Sequence, residues 1–141
     1  MWISISLTSI NIHVESLPST LRFLVSNIQK QELTDSFLLD VILDILHSQK
    51  LLDLSVFKGD IAIPYSNVII GTATSNAQMN GVVKKLMDLF DTINLRVEGK
   101  DSTWMLIEVK EILIHILNKD AREFYMLEDL YFDCELIYQY G

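Results

Sequence analysis

Apolar residues recur along this chain with two different periods, and the switches between them fix most of what it can fold into. Strict alternation sends successive side chains to opposite faces of a strand, whereas recurrence every three or four residues lines one face of a helix. Ile3, Ile5 and Leu7 alternate with Ser4, Ser6 and Thr8, and Ile10, Ile12 and Val14 continue in the opposite phase. This predicts two short strands broken by a bulge or tight turn at Thr8–Ser9. Leu21, Leu24, Val25 and Ile28 then form a helical stripe, opened by Ser16, Leu17 and Pro18 with proline in the first turn. A second helix is expected from Thr34 or Asp35 through about Lys50, with Phe37, Leu38, Val41, Ile42, Ile45 and Leu46 inward. The polar connection Gln29 to Glu32 is short enough to fold the two into an N-terminal αα-hairpin.

From Val56 the pattern changes. Ile61 to Ile63 and Val68 to Ile70 are β-branched runs flanking Pro64-Tyr65-Ser66-Asn67, which reads as a hairpin turn. A helix follows from about Ser75 to Phe90, burying Met79, Val82, Val83, Leu86 and Phe90. Gly81 in its interior costs up to ~1 kcal/mol relative to alanine, so a close approach is expected there. Asn94 to Glu98 reads as a strand closed by Gly99. In Ser102 to Asn118 the polar residues Glu108, Glu111, His115 and Asn118 recur at three, four and three, which predicts a helix. The tail from Tyr131 to Tyr140 alternates again, with Phe132, Cys134, Leu136 and Tyr138 on one side. There is no repeat, low-complexity tract or linker, and 141 residues suit one domain spanning 1–141. The expected architecture is a single α+β domain, a small and mostly antiparallel sheet packed with about four helices.

Half of the residues are hydrophobic, enough for a substantial core and too many for a disordered chain. No apolar run reaches the roughly 18–20 residues of a membrane span, and the greasiest, Phe37 to Leu46, contains Asp40 and Asp44. The single cysteine, Cys134, cannot close an intramolecular disulfide and suits a reducing compartment. It reads as a small core residue on a strand. With no Lys or Arg ahead of the apolar N-terminal stretch, a secretory leader is not expected, and the chain is expected to be cytoplasmic.

Nineteen acidic side chains oppose eleven basic ones, a net charge of −8. That balance argues against nucleic acid and anionic membrane as partners, because polyanions are bound by clustered Lys and Arg. It favours a basic protein partner.

Two constellations could carry metal chemistry. Asp40, Asp44 and His47 share one predicted helical face, and Glu108, Glu111 and His115 share another. In both, the acidic face lies opposite the apolar stripe, which makes it a solvated surface and no metal or other cofactor is expected. His13, beside Glu15, has no triad context. The segment Gly71-Thr72-Ala73-Thr74-Ser75-Asn76-Ala77-Gln78 follows a strand and opens a helix. Over about eight residues it resembles the phosphate loop of flavodoxin-like proteins, which would imply backbone N–H groups presented to a phosphate. It lacks the glycine expected where Ser75 stands, and capping by Thr74 or Ser75 explains the same residues. No nucleophile elbow or Walker-type lysine is present, so the chain is not expected to be an enzyme.

The C-terminal third concentrates Phe124, Tyr125, Tyr131, Phe132, Tyr138 and Tyr140 among Glu123, Glu128, Asp129, Asp133 and Glu135. With Trp2 and Trp104, these rings are ordinary core residues or interface anchors. The leading expectation is a small acidic protein-binding module, of the class of an immunity protein or inhibitor that neutralises a basic toxin or nuclease. Its partner-binding residues would be Asp40, Asp44, Glu128, Asp129, Tyr131, Asp133 and Glu135. The alternatives are a metal-binding protein or metal-dependent enzyme using the two carboxylate–histidine faces, and a structural subunit or homodimer that hides its apolar excess.

Overall fold

A computed structural model of the chain describes residues 3–4, 11–12, 18–21, 35–90 and 94–141. Two short strands, β1 (Ile3–Ser4) and β2 (Asn11–Ile12), pair antiparallel. The rest is built on one six-stranded mixed sheet of order β5-β6-β7-β4-β3-β8. Its strands are β3 (Leu52–Lys58), β4 (Asn67–Ala73), β5 (Leu95–Glu98), β6 (Trp104–Val109), β7 (Ile112–Asn118) and β8 (Leu136–Tyr140). Four of the five pairings are antiparallel and the central one, β4 with β7, is parallel. All seven residues of β4 and six of the seven in β7 are buried, because both faces of this central pair are covered.

Two helices, α1 (Asp35–Ser48) and α2 (Asn76–Leu89), cover one face. Leu38, Ile42 and Leu46 of α1 and Met79, Val82 and Leu86 of α2 pack with Ile69, Ile107, Ile114 and Ile116 of the sheet. Alternate residues of the same strands, Val68, Ile70, Leu113 and Leu117, point to the other face. There they meet Ala121 of α3 (Lys119–Tyr125) and Leu127 and Tyr131 of a 3-10 helix, Leu127–Tyr131. Ser75 caps α2, its hydroxyl accepting from the Gln78 backbone N–H at 3.1 Å. The Gln78 amide oxygen in turn accepts from the Thr74 N–H, so the loop that resembles a phosphate cradle turns its polar groups on itself. Gly81 faces the Gln49 side chain, whose Oε1 would lie 2.7 Å from an added Cβ. That is the close approach its position predicted.

Several expectations are corrected. The sheet is larger than the small one predicted, and it is mixed. The expected αα-hairpin is not shown: its second helix is α1, while its first lies outside the described residues except for 18–21, of which 19–21 are helical; His13 and Trp2 also lie outside them. Among the described residues the helices are α1 and α2 on one face and α3 with the 3-10 helix on the other, besides the helical stretch 19–21. Ser102 to Asn118 forms β6 and β7 instead of a helix, joined by a two-residue turn with Val109 opposite Ile112. The turn needs φ +56° at Lys110, the handedness that suits twisted strands. Ile61 to Ile63 is loop, and the strand facing β4 is β3. The tail becomes a strand only at Leu136, leaving Cys134 half-buried in a turn.

Candidate functional site

The feature that stands out is an exposed aromatic face on α3 and the 3-10 helix. Asn118 starts α3, its Oδ1 accepting from the Ala121 N–H at 2.8 Å. Met126 ends the helix in the left-handed region (φ 47°, ψ 50°), and its N–H donates to the Arg122 carbonyl. This sharp turn sends Leu127 and Tyr131 into the sheet. It leaves Phe124, Tyr125, Met126, Leu130 and Phe132 outside, with Phe124 81 % and Phe132 78 % exposed. A run of large apolar groups that solvent reaches so fully marks an interaction surface far better than scattered exposure does. Glu123, Asp129 and Asp133 are exposed among them.

Arg122 clamps this turn to the sheet. Its Nε donates to Glu128 at 2.6 Å, and its terminal nitrogens reach the Asp53 carbonyl, the Thr72 hydroxyl at 2.9 Å and the Ser55 hydroxyl at 3.5 Å. The Asp53 carbonyl is available because a bulge between Leu52 and Ser55 turns Asp53 to φ +49°. Beside the guanidinium the surface dips into a cleft of about 480 Å³ lined by Ser55, Thr72, Lys119, Glu128 and Gln139 among others.

Behind the face lies a buried polar chain. The Trp104 indole Nε1–H donates to His115 Nδ1 at 3.1 Å, and His115 Nε2 lies 2.9 Å from the Tyr131 hydroxyl. An indole can only donate, so Nδ1 accepts and the proton of the neutral ring sits on Nε2, donating to Tyr131. Burial pushes the His115 pKa down from 6.5 to about 4, and burial raises that of the Tyr131 phenol. Trp104 also packs on Tyr125, ring centroids 5.0 Å apart, and Tyr125 meets Phe124 edge-on at 5.1 Å.

The residues predicted from sequence do not form one group. Asp40 and Asp44 are exposed on α1, across the sheet from the aromatic face. Glu128 is held by Arg122, and Tyr131 is buried at 4 % exposure. Asp129, Asp133 and Glu135 are exposed. The two metal-binding sets come apart: Glu108 is on β6, Glu111 in the turn and His115 inside, with both ring nitrogens engaged. His47 instead bonds the Tyr138 hydroxyl at 2.8 Å. Among the described residues no three His, Cys, Asp or Glu side chains are grouped so as to hold a metal ion. Partial burial, with Asp60 and Asp133 nearby, raises the Cys134 thiol pKa, the opposite of an activated nucleophile. Sequence reasoning missed Arg122 and Trp104–His115. Arg122 is a lone cation whose hydroxyl partners come from β3 and β4, and the Trp104–His115 pairing exists only because 102–118 is a hairpin where a helix was expected.

The family described as Ribosomal silencing factor during starvation, RsfS, matches residues 30–140. The chain belongs to that family. A ribosomal silencing factor RsfS from Haemophilus influenzae is 34 % identical over 71 residues, 46 % of this chain and 68 % of that one. One from Bacillus subtilis is 29 % identical over 72 residues, covering 48 % and 61 %. The mouse mitochondrial assembly of ribosomal large subunit protein 1 is 25 % identical over 103 residues, 67 % of this chain but 45 % of the mouse protein. A crystal structure of a Chromobacterium violaceum protein shares the fold at TM-score 0.61 and 21 % identity, covering 70 % of this chain and 87 % of the other. Membership in the RsfS family overturns the toxin-neutralising immunity protein, its basic toxin partner and the metal-dependent alternative. It agrees with the expectation that the chain is not an enzyme, since the family is one of silencing factors. Among the described residues no helix is long and apolar enough to cross a membrane.

Proposed function

We infer that this RsfS-family chain docks on the large ribosomal subunit and silences it by covering a protein surface there. The supporting observation is the aromatic face of α3 and the 3-10 helix, which falls within the matched residues 30–140. The bacterial relatives are called silencing factors and the mouse relative carries the large subunit in its name. Phe124 and Phe132 are the anchors of the face, because desolvated aromatics carry most of the binding energy of an interface. Asp129, Asp133 and Glu135 form its rim, while Asp40 and Asp44 stand away from it. A net charge of −8 favours a protein component of the subunit over ribosomal RNA phosphates. The place of action is the ribosome-containing cytoplasm.

Co-sedimentation with purified subunits tests this. The chain is expected to travel with large subunits and not with small ones. The double substitution Phe124→Ala/Phe132→Ala should weaken binding by roughly tenfold or more while leaving the melting temperature within a few degrees. Equal binding to both subunits, or undiminished binding by the double variant, refutes the reading.

A further inference from the structure

The aromatic face is carried on a seven-residue helix and a five-residue 3-10 helix, elements too short to hold their shape unaided. Arg122 secures one side of this unit to β3 and β4. On the other side the Trp104–His115–Tyr131 chain joins β6 and β7 to the end of the 3-10 helix. We propose that His115 is the positioning residue of the docking face: through Nδ1 it orients the Trp104 indole beneath Tyr125, and through Nε2–H it holds Tyr131, so the face is set before a partner arrives. This deepens the docking reading and rests on it.

The geometry is specific in both directions. Trp104 offers only a donor and His115 is buried at 4 % exposure, so loss of the imidazole leaves a half-buried indole N–H and a buried phenol without the partner that joins them. Tyr131 is stacked on Phe57, ring centroids 5.8 Å apart, so its hydroxyl has little freedom to seek another partner. From Trp104 the order passes by ring contact to Tyr125 and then Phe124, which are 52 % and 81 % exposed. A face fixed in advance binds more tightly than a loose one with the same contacts, because less ordering remains to be done on association. Burial keeps the ring neutral, the state with one donor and one acceptor that this relay requires.

The test uses His115→Asn, which keeps an acceptor near Nδ1 but falls short of Tyr131, and His115→Gln, which reaches toward Tyr131 but abandons the indole. Both are compared with wild type and Phe124→Ala in binding to purified large subunits, with circular dichroism on the same samples. The folded His115 variants should bind about tenfold more weakly. Amide exchange over residues 119–131 should quicken by a similar factor, with α2 unchanged, a local loosening that general destabilisation does not produce. In wild type, long-range proton–nitrogen spectra of the imidazole should show the Nε2–H tautomer at pH 7. An Nδ1–H tautomer, or an imidazolium, overturns the relay with no ribosome present. So do folded His115 variants that bind and exchange like wild type while Phe124→Ala binds poorly. If Phe124→Ala binds normally, the docking reading fails instead, and the tautomer and exchange data still decide the role of His115. Should both His115 variants fail to fold, Trp104→Phe removes the N–H and keeps a ring. Unchanged binding and exchange in that variant refute the proposal.

Discussion

His115 couples the stability of the chain to pH. In the folded state it titrates at about 4 instead of 6.5 because burial disfavours the imidazolium. As pH falls, the unfolded chain therefore takes up this proton first. Stability should drop between about 6.5 and about 4 and level off below, a total of about 3 kcal/mol from this residue. Above pH 6.5 both states are neutral and the residue adds no slope. Urea unfolding at pH 7, 5.5 and 4.5 should show a shallower decline for His115→Asn than for wild type. Arg122 makes a second prediction at this scale. Its side chain is 13 % exposed and serves a carboxylate, a carbonyl and two hydroxyls at once. Arg122→Ala should cost about 2–3 kcal/mol in denaturant unfolding, and Arg122→Lys should recover little of it, because an ammonium cannot reproduce the fork.

At the scale of elements, legibility in the sequence followed exposure. α1 and α2 each show an apolar stripe against a wet face, so their period was readable, and Ser75 was recognisable as a cap. Ser75→Ala should lower stability by about 1 kcal/mol, measurable as a shift of the urea midpoint with unchanged slope. β7 is buried on both sides and therefore has no alternation of polar and apolar residues. Its one polar interior residue, His115, happened to complete a helical spacing with Glu108 and Glu111. The β-branched run of Ile112, Ile114 and Ile116, facing Met105, Ile107 and Val109, carried the strand signal instead. At the site, the concentration of aromatic and acidic residues is legible in the sequence, and it coincides with the segment proposed above as the docking face. The alternation read from Tyr131 onward failed at its start, because Tyr131 ends a 3-10 helix and is buried while Phe132 is exposed, and the strand begins only at Leu136.

For the whole molecule, the sheet order predicts a gradient of rigidity. β4 and β7 lie at the centre under both layers, whereas β8 and β5 are edges and four of the five β8 residues are exposed. Amide exchange should be slowest in β4 and β7 and fastest in β8 and β5, read by mass spectrometry of peptides. The parallel pairing of β4 with β7 also sets an order of events during synthesis. Residues 67–73 find their ladder on 112–118 only after α2, β5 and β6 have been made. A nascent chain stopped anywhere in that interval presents Val68, Ile69 and Ile70 along an open strand margin, inviting aggregation. Ribosome-bound chains stalled before residue 112 should therefore be captured by holdase chaperones and digested rapidly. Those stalled after 118 has cleared the exit tunnel should resist both.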